Sequence, residues 1–318
     1  MKLFFALISL MTCCYGQHYR SHLSNLWYPA KANTLKNNMQ NFEKKSEKFQ
    51  ISMPFVQAIL VPCGVHDYSG AVASAAYASL KNQNYKRVIV LAPAHHKNFS
   101  GVSLPGTEFD SLKSSFGLIG LDQKMLNSLR KNSSLFHSFQ KIHDVEHAVE
   151  VQVPFIQKYC KDALLVPLFV GSVTVSETLQ IAAQLSSWID HETLLVLSTN
   201  LTQFGTYFDC PVDESSGYQS NGLQPSESCC FDLLEKIKKN DVAIIKSLQK
   251  KSMQDLIQLF EKSDEIVWGK NAMLLFAALL SQAKFNQMDG VLLDYSLSKQ
   301  GKNSECGVSY GAMLFGHA

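Results

Sequence analysis

Two histidine motifs contain the residues of this chain whose types and spacing suit metal binding. His95 and His96 directly follow a short apolar segment that ends at Ala92-Pro93, and ligating side chains cluster at the ends of buried strands. His147 and Glu150 are three positions apart, which on a helix puts both on one face, a spacing that can hold a metal. Each motif also has an ordinary structural interpretation. Paired histidines are typical of a surface loop, and an acid after a histidine is as often part of a hydrogen-bonded helix start.

The segment Gly307-Val-Ser-Tyr-Gly311 has the Gly-x-Ser-x-Gly pattern of a serine nucleophile elbow. That chemistry needs a helix behind the serine, then an acid and a histidine later in the chain. Only seven residues follow Gly311 and none is Asp or Glu, so we predict a terminal strand instead. The chain also has no Gly-x-Gly-x-x-Gly after a strand and no Walker-type loop, which argues against a nucleotide enzyme.

Short apolar segments predict the strands that would position such residues. Phe55–Val61 and Arg87–Ala92 are each followed by Pro, and the Ala-rich segment Gly70–Leu80 between them has a helical period. The same order recurs later in the chain. We predict strands at Leu164–Val170, Thr193–Ser198, Gly290–Leu297 and Gly307–Phe315, a helix from about Ser176 to Trp188, and two or three helices between Cys230 and Lys284. This alternation predicts one α/β domain, with a largely parallel or mixed central sheet and helices on both faces.

The composition agrees with a folded protein that does not bind nucleic acid. Of 318 residues, 46% are hydrophobic and 18% charged, which is enough apolar material for a packed core. The 29 Lys and Arg nearly balance the 27 Asp and Glu, giving a formal charge of +2. A dedicated nucleic-acid binder needs a larger basic excess to neutralise phosphates.

The N-terminus has the three parts of a secretory signal peptide. Lys2 precedes the apolar stretch Leu3–Cys14, and small residues end at Gly16. A membrane span would need roughly 20 apolar residues. We therefore predict a signal peptide at residues 1–16, a mature domain at 17–318 without a membrane span, and secretion or residence in the lumen of the secretory pathway.

Cysteines and glycosylation sequons are interpreted in that compartment. Cys210 and the adjacent Cys229-Cys230 bracket a turn-rich loop, so we predict a disulfide from Cys210 to Cys229 or Cys230. Sequons at Asn98 and Asn132 are the glycosylation candidates.

Longer motifs resemble those of a known family. The most specific is Glu146-His-Ala-Val-Glu-Val-Gln-Val-Pro-Phe155, and the resemblance begins at Leu26-Trp-Tyr-Pro-Ala30. Further matching segments are Val61-Pro62, Tyr68-Ser-Gly70, Ala92-Pro-Ala-His-His96, Val170-Gly171, Ser198-Thr-Asn-Leu-Thr-Gln-Phe-Gly205 and Ser309-Tyr-Gly-Ala-Met-Leu314. These resemble the Memo family, the mediator-of-motility proteins, whose prokaryotic members are called AmmeMemoRadiSam system protein B. The resemblance implies an α/β domain related to class III extradiol ring-cleaving dioxygenases, with two His and one Cys on iron or copper and an Asp and another His nearby.

Most of that implied site is replaced in this chain. His95 matches one ligand histidine, whereas Cys63 stands at the other and Trp268 at the ligand cysteine. The nearby Asp and His correspond to Asn200 and Gln203. Amides lack the negative charge that holds a hard cation, and Trp cannot ligate.

Two interpretations of the remaining donors stay open. A catalytic iron site needs about three protein ligands, and Cys63 and His95 supply two. His66, three residues after Cys63, is the candidate third, and these three could hold Cu(I). We expect His147 to support a ligand rather than to coordinate. The alternative, which we favour, is that Cys63 is only a buried or disulfide-bonded cysteine.

We therefore expect a secreted, non-catalytic Memo-like protein with no cofactor, binding a peptide or small molecule in the family's cleft. The expected lining residues are Cys63, His95, His147, Glu150, Asn200, Gln203 and Trp268. Asn200 should carry no glycan, because a glycan there would occupy the cleft. The rival hypothesis is a copper- or iron-dependent redox enzyme, or dioxygenase-like protein, built around His95. A third, weaker alternative is a structural secreted protein without a ligand.

Overall fold

A computed structural model describes residues 17–19, 23–204, 227–262, 267–285, 287–300 and 306–317. The predicted signal peptide at 1–16 and Cys210 lie outside these residues. Cys229 and Cys230 fall within a helix whose side chains are described only from residue 234 onward.

Twelve strands are present in the described residues. They are β1 (Gln17–Tyr19), β2 (Phe55–Val61), β3 (Arg87–Pro93), β4 (Val102–Leu104), β5 (Phe109–Ser114), β6 (Gly117–Gly120), β7 (Phe136–Ser138), β8 (Leu164–Val170), β9 (Thr193–Ser198), β10 (Gln203–Phe204), β11 (Asp289–Gln300) and β12 (Cys306–His317). The large sheet has the order β10-β12-β2-β9-β3-β8-β4-β7, with β11 pairing β12. Strands β2, β9, β3 and β8 run parallel, whereas β12 is antiparallel to β2, so the sheet is mixed. A separate three-stranded sheet has the order β1-β5-β6.

The central strands are buried on both faces. Every side chain of β9 is buried, as is every one after the first in β2 and in β3. Because successive side chains of a strand point to opposite faces, both faces of the sheet must be covered.

Nine α-helices supply that cover in the described residues. They are α1 (Ala32–Ser46), α2 (His66–Ala78), α3 (Gln123–Asn132), α4 (Gln140–His143), α5 (Val153–Tyr159), α6 (Val175–Ser186), α7 (Glu227–Gln249), α8 (Met253–Lys262) and α9 (Lys270–Leu280). Helix α2 packs on β2 and β12, with α1 and α5 beside it, whereas α9 packs on β3, β8 and β9, with α6 beside it. The predicted α/β domain with a mixed sheet and helices on both faces is confirmed. None of the described helices combines the length and apolar character needed to cross a bilayer.

Candidate functional site

Three adjacent parallel strands end at the same edge of the sheet and bring together residues far apart in sequence. Strand β9 lies between β2 and β3, with Val61 of β2 beside Ser198 of β9. The residues that follow these strands, Cys63, Asn200 and His95, therefore meet. Their contact is direct at one point, since the Asn200 Oδ1 accepts a hydrogen bond from the backbone N–H of Cys63 at 3.0 Å.

A cavity of about 520 Å³ opens over these strand ends, and we call it the strand-end cavity. Its aromatic lining consists of Trp27, Tyr68, Trp268 and Tyr310. Its polar lining consists of His95, His96, His147, Asn200 and Gln203. Pockets of this size, mostly apolar with a few polar groups, are typical of small-ligand sites.

His95 is held between a thiol and a carboxylate. Glu146 accepts hydrogen bonds from the backbone N–H groups of His95 and His96, the latter at 2.8 Å, and its Oε2 lies 3.0 Å from His95 Nδ1. Burial favours the neutral ring, but hydrogen bonds with Cys63 and Glu146 outweigh it and raise the pKa of His95 to about 9. His95 is therefore an imidazolium at neutral pH.

His147 lies against His95 but, unlike His95, is neutral. Its ring stacks on that of His95 with centroids 4.5 Å apart, and on Trp27 with centroids 3.9 Å apart. Burial, together with repulsion from His95 and His96, lowers the pKa of His147 well below its ordinary value. Its Nδ1 is buried and has no hydrogen-bond partner among the described residues. A neutral imidazole with an unused nitrogen is suited to receive a proton donor or a metal ion.

A buried hydrogen-bond network fixes the segment that carries His147. The Gln152 amide donates to Pro62 O at 2.9 Å and to Ser198 Oγ at 2.7 Å, and Ser198 in turn donates to Ala148 O. The ends of β2 and β9 are thus joined to the residue beside His147.

Trp268 approaches His95 from the start of α9. The two ring centroids are 5.9 Å apart, and Trp268 is 37% exposed at the mouth of the cavity. The next residue must be glycine, because a Cβ at Gly269 would lie 1.9 Å from Thr199 Oγ1. This close approach places Trp268 against the end of β9.

Two predicted lining residues, Glu150 and Cys63, do not line the cavity, and His147 lines it without being part of a helix. The helical face expected for His147 and Glu150 is not formed, because His147 precedes the short 3₁₀ turn Glu150–Gln152. Glu150 does not line the strand-end cavity and instead accepts hydrogen bonds from Tyr28 Oη at 2.8 Å and Leu23 N at 3.2 Å. Cys63 is fully buried beneath the cavity and has a free thiol.

His66, the candidate third ligand, faces away from the other two. It begins α2, and its Nε2 lies 2.8 Å from the carbonyl oxygen of Val151. Its ring packs against Tyr28, Phe42 and Phe155. Among the described residues it belongs to neither group of side chains that could share an ion.

The sequence did not single out several residues that the structure adds to the site. Trp27, Tyr68 and Tyr310 line the cavity, and Glu146 holds His95. All four lie within motifs that carry the family resemblance, so a signal was present. The motifs identified these segments but did not indicate which of their side chains point into the cavity.

The donors of Cys63, His95 and His147 fit a soft metal ion. Their ligand atoms all lie within 4.8 Å of one another, and the Nδ1 of His147 has no hydrogen-bond partner in the described part of the chain. Once the ion has displaced the extra proton of the His95 imidazolium, one thiolate and two imidazoles suit copper(I) better than iron(II), which favours two His and a carboxylate. The carboxylate in the second group, formed by His96, Glu146 and His147, already accepts three hydrogen bonds.

The order thiol, imidazole, carboxylate also resembles a cysteine nucleophile with its base. Here Cys63 is buried and does not line the cavity. This arrangement therefore presents no thiol to a bound substrate.

Comparison with known proteins identifies the family. The model of the family described as Memo-like protein matches residues 20–314, nearly the whole chain. The chain belongs to the Memo family. The class III extradiol dioxygenase-like fold expected from the resemblance is thereby confirmed.

Memo relatives occur in archaea and in animals. A MEMO1 family protein of Methanobrevibacter smithii is 29% identical over 46% of this chain, a match that spans only 53% of that relative. A protein memo-1 homolog of Caenorhabditis elegans is 22% identical over 95% of this chain and 84% of its own length. A MEMO1 family protein of Saccharolobus islandicus is 28% identical, covering 87% of this chain and 86% of its own.

Among solved structures, an uncharacterized protein of Escherichia coli K12 is 13% identical, covering 82% of this chain and all of that chain, with a TM-score of 0.46.

The four residues that the sequence analysis expects to replace family ligands or their neighbours all lie at or beside the strand-end cavity. Asn200, Gln203 and Trp268 line it, and Cys63 lies beneath it beside His95. The cavity therefore combines imidazole, amide and indole groups.

Proposed function

We propose that this protein is a secreted, non-catalytic member of the Memo family that binds a small molecule or a short peptide in the strand-end cavity. The observation that carries the proposal is the cavity itself, about 520 Å³ in volume at the ends of β2, β9 and β3. Ligand sites of α/β sheets form at such strand ends.

The chemistry of the lining supports binding rather than ring cleavage. Trp27, Trp268, Tyr68 and Tyr310 offer flat apolar surfaces, and Asn200 and Gln203 offer neutral donors and acceptors. The charge of His95 is compensated by Glu146 within the wall. These features favour a largely neutral ligand with a planar or aromatic group and a few hydrogen-bonding atoms.

Ligand-observed NMR with aromatic amide fragments and end-blocked short peptides tests this proposal. The parent should bind a subset of these probes, and Trp268→Ala should weaken them by about tenfold or more, because loss of a Trp contact costs roughly 2 kcal/mol in a binding site. Trp188→Ala is the matched control, since this partly buried tryptophan packs on Arg87 away from the cavity.

The outcome that contradicts the proposal is equally specific. Absence of binding by every probe, or binding that Trp268→Ala and Trp188→Ala weaken equally, would show that the strand-end cavity is not a ligand site. A chemical conversion of any probe that depends on His95 would contradict the non-catalytic part.

A second candidate function is binding of a soft metal ion by Cys63, His95 and His147. The specific observation in its favour is the 4.8 Å grouping of the three donors, with His147 Nδ1 unpaired in the described structure. A bound copper ion would supply one-electron chemistry at the floor of the cavity. The chain's own contribution would be to hold and orient the ion through these three residues.

Metal analysis separates the two candidates. Copper(I) should be retained against a competing chelator at one ion per chain if the second candidate holds, and Cys63→Ala or His147→Ala should abolish retention. His137→Ala is the control, because His137 is an exposed histidine outside the site. A parent that retains no copper under reducing conditions excludes this candidate.

Secretion and its associated modifications are part of the proposal. Asn98 and Asn132 are exposed, as glycosylation requires, whereas Asn200 is buried in the cavity wall. Sequencing of the secreted protein should begin at or near Gln17, and unreduced peptide mapping should link Cys210 to Cys229 or Cys230. A cytosolic protein that begins at Met1, or a free Cys210, would contradict these two expectations.

A further inference from the structure

The structure has a second concavity, and none of its lining residues lines the strand-end cavity. It has a volume of about 540 Å³, and we call it the lysine groove. Helix α1 supplies Lys36, Met39 and Gln40, which share one face because of their spacing. The β5–β6 turn with β6 and the segment from the end of α5 to the start of β8 form the other walls.

The floor and walls of the lysine groove are apolar. Met39 and Ile119 are buried at its base, whereas Leu118 and Leu164 are 54% and 43% exposed along its walls. These leucines are among the most exposed large apolar side chains of the described structure, and both line the same hollow. The Gln157 side chain, which also lines the groove, accepts a hydrogen bond from Ser114 Oγ and donates one to Gly117 O at 3.2 Å.

The rim of the groove carries a surplus of uncompensated positive charge. Lys158 is paired with Glu43 at 2.6 Å, but Lys36 and Lys161 form no ion pair or hydrogen bond within the described residues. Asp162 is the one carboxylate among the lining residues. An apolar hollow with two free ammonium groups at its edge is complementary to a molecule that has an apolar body and one negative end.

We propose that the lysine groove binds a free single-chain amphiphile with one anionic head group, of the long-chain carboxylate class. The alkyl chain packs on Leu118, Ile119 and Leu164, and Lys36 and Lys161 hold the head group. The volume falls in the range of small-molecule sites. Docking on an anionic membrane would need a larger cluster of basic residues around a protruding apolar face, whereas this surface is concave.

Fluorescence titration with dansylamino-undecanoate, below its micelle concentration, tests the proposal on the full chain. Binding to the parent should saturate at a single site, and dodecanoate should displace the probe about tenfold more effectively than dodecan-1-ol, since a charge-assisted contact adds roughly 1.4 kcal/mol or more. Anionic phospholipid vesicles should neither bind the protein nor compete with the probe.

Matched variants locate the site. Leu118→Asp puts a negative charge into the apolar wall and should weaken the probe at least tenfold, whereas Leu179→Asp, at a leucine 49% exposed on α6, should not. The double variant Lys36→Gln/Lys161→Gln should remove the preference for dodecanoate over dodecan-1-ol. Lys124→Gln/Lys246→Gln, at exposed lysines of α3 and α7, should keep it.

Several results overturn the proposal. These are the absence of saturable binding, equal losses in the two aspartate variants, and an unchanged head-group preference in the double lysine variant. If Trp268→Ala abolishes binding of the probe and Leu118→Asp does not, the probe binds in the strand-end cavity instead. The two cavities share no lining residue, so either proposal can fail without the other.

Discussion

His95 and His66 occupy comparable places in the fold and have opposite acid–base properties. Each follows a central strand of the sheet, β3 and β2 respectively; His66 is buried, and the His95 side chain is 12% exposed. Burial lowers the pKa of His66 to about 4, because its surroundings are the rings of Tyr28, Phe42 and Phe155 and a single carbonyl acceptor. At His95 the same burial is outweighed by the Cys63 thiol and the Glu146 carboxylate.

This difference shows that the partner, rather than the depth, sets the charge of a histidine in this sheet. The His66 region behaves as core packing, and its neutral ring donates one hydrogen bond to a backbone carbonyl. The His95 region is an ion pair at the floor of an open cavity. Only the second region has charge available for function.

Glu146→Ala should have the largest effect on the difference in charge between His95 and His66. It removes the acceptor for two backbone N–H groups and the partner of the His95 imidazolium, so the free energy of unfolding should fall by about 3–5 kcal/mol in urea denaturation. The pKa of His95, followed by NMR, should drop in parallel.

Glu146→Gln provides the conservative control. It retains the shape and most hydrogen bonds but not the charge, so it should destabilise the protein less than Glu146→Ala while still lowering the pKa of His95. Equal pKa values for His95 in the parent and in Glu146→Gln would refute the assignment of the carboxylate as one of the two partners that raise this pKa.

Acidification should act through His66. Its pKa is about 4 in the folded protein and 6.5 as the reference value, so its contribution to stability is complete above pH 6.5 and is lost as the pH falls towards 4. The loss should reach about 3 kcal/mol at the acid end. Urea unfolding across this range should have a weaker pH dependence in His66→Gln, which keeps a donor for Val151 O. An identical slope in parent and variant would contradict the prediction.

Alkalinisation should act through His95, with the opposite sign. Because the pKa of His95 is raised to about 9, the ion pair contributes fully below pH 6.5 and is lost as the pH rises through 9. Partial access to the cavity screens the pair, so we expect about 2 kcal/mol. The alkaline decline should be smaller in Glu146→Gln, and His66→Gln should leave it unchanged.

Substitution of the three sequon asparagines, Asn98, Asn132 and Asn200, should have the smallest effects on stability. In a secreting host, Asn98→Gln and Asn132→Gln should each remove one glycan from the mass spectrum and change the free energy of unfolding by less than about 0.5 kcal/mol. Asn200→Gln should leave the glycan count unchanged, because Asn200 is buried against Cys63. A glycan on Asn200 in the parent would mean that the end of β9 is exposed.

Much of the central sheet was predictable because its strands are continuous apolar segments. The predicted bounds of β2, β8 and β9 coincide with those observed, and β3 extends one residue beyond its predicted end, to Pro93. The region 98–143 was not predicted. Its strands β4 and β7 have three residues each, too few for a periodic pattern to identify.

The candidate site was predictable only where strands position it. Cys63, His95 and Asn200 follow predicted strands and are close together in the structure. His147 is different, because its segment has no regular structure. It is placed by the hydrogen bond from Ser198 Oγ to Ala148 O, and Ser198 in turn accepts one from Gln152. Sequence proximity suggested His66 beside Cys63, but α2 begins at His66 and directs its ring towards Phe155.

The stacking of Trp27 on His147 gives the protein a built-in optical reporter. The chain has three tryptophans, and two of them, Trp27 and Trp268, line the strand-end cavity next to imidazole rings. Indole emission is quenched by a neighbouring protonated imidazole, as His95 is beside Trp268, and it shifts when water leaves the surroundings of the ring, as at Trp27 on the neutral His147. Occupation of the cavity therefore changes the intrinsic fluorescence without any label, and Trp188, outside the cavity, provides the constant background.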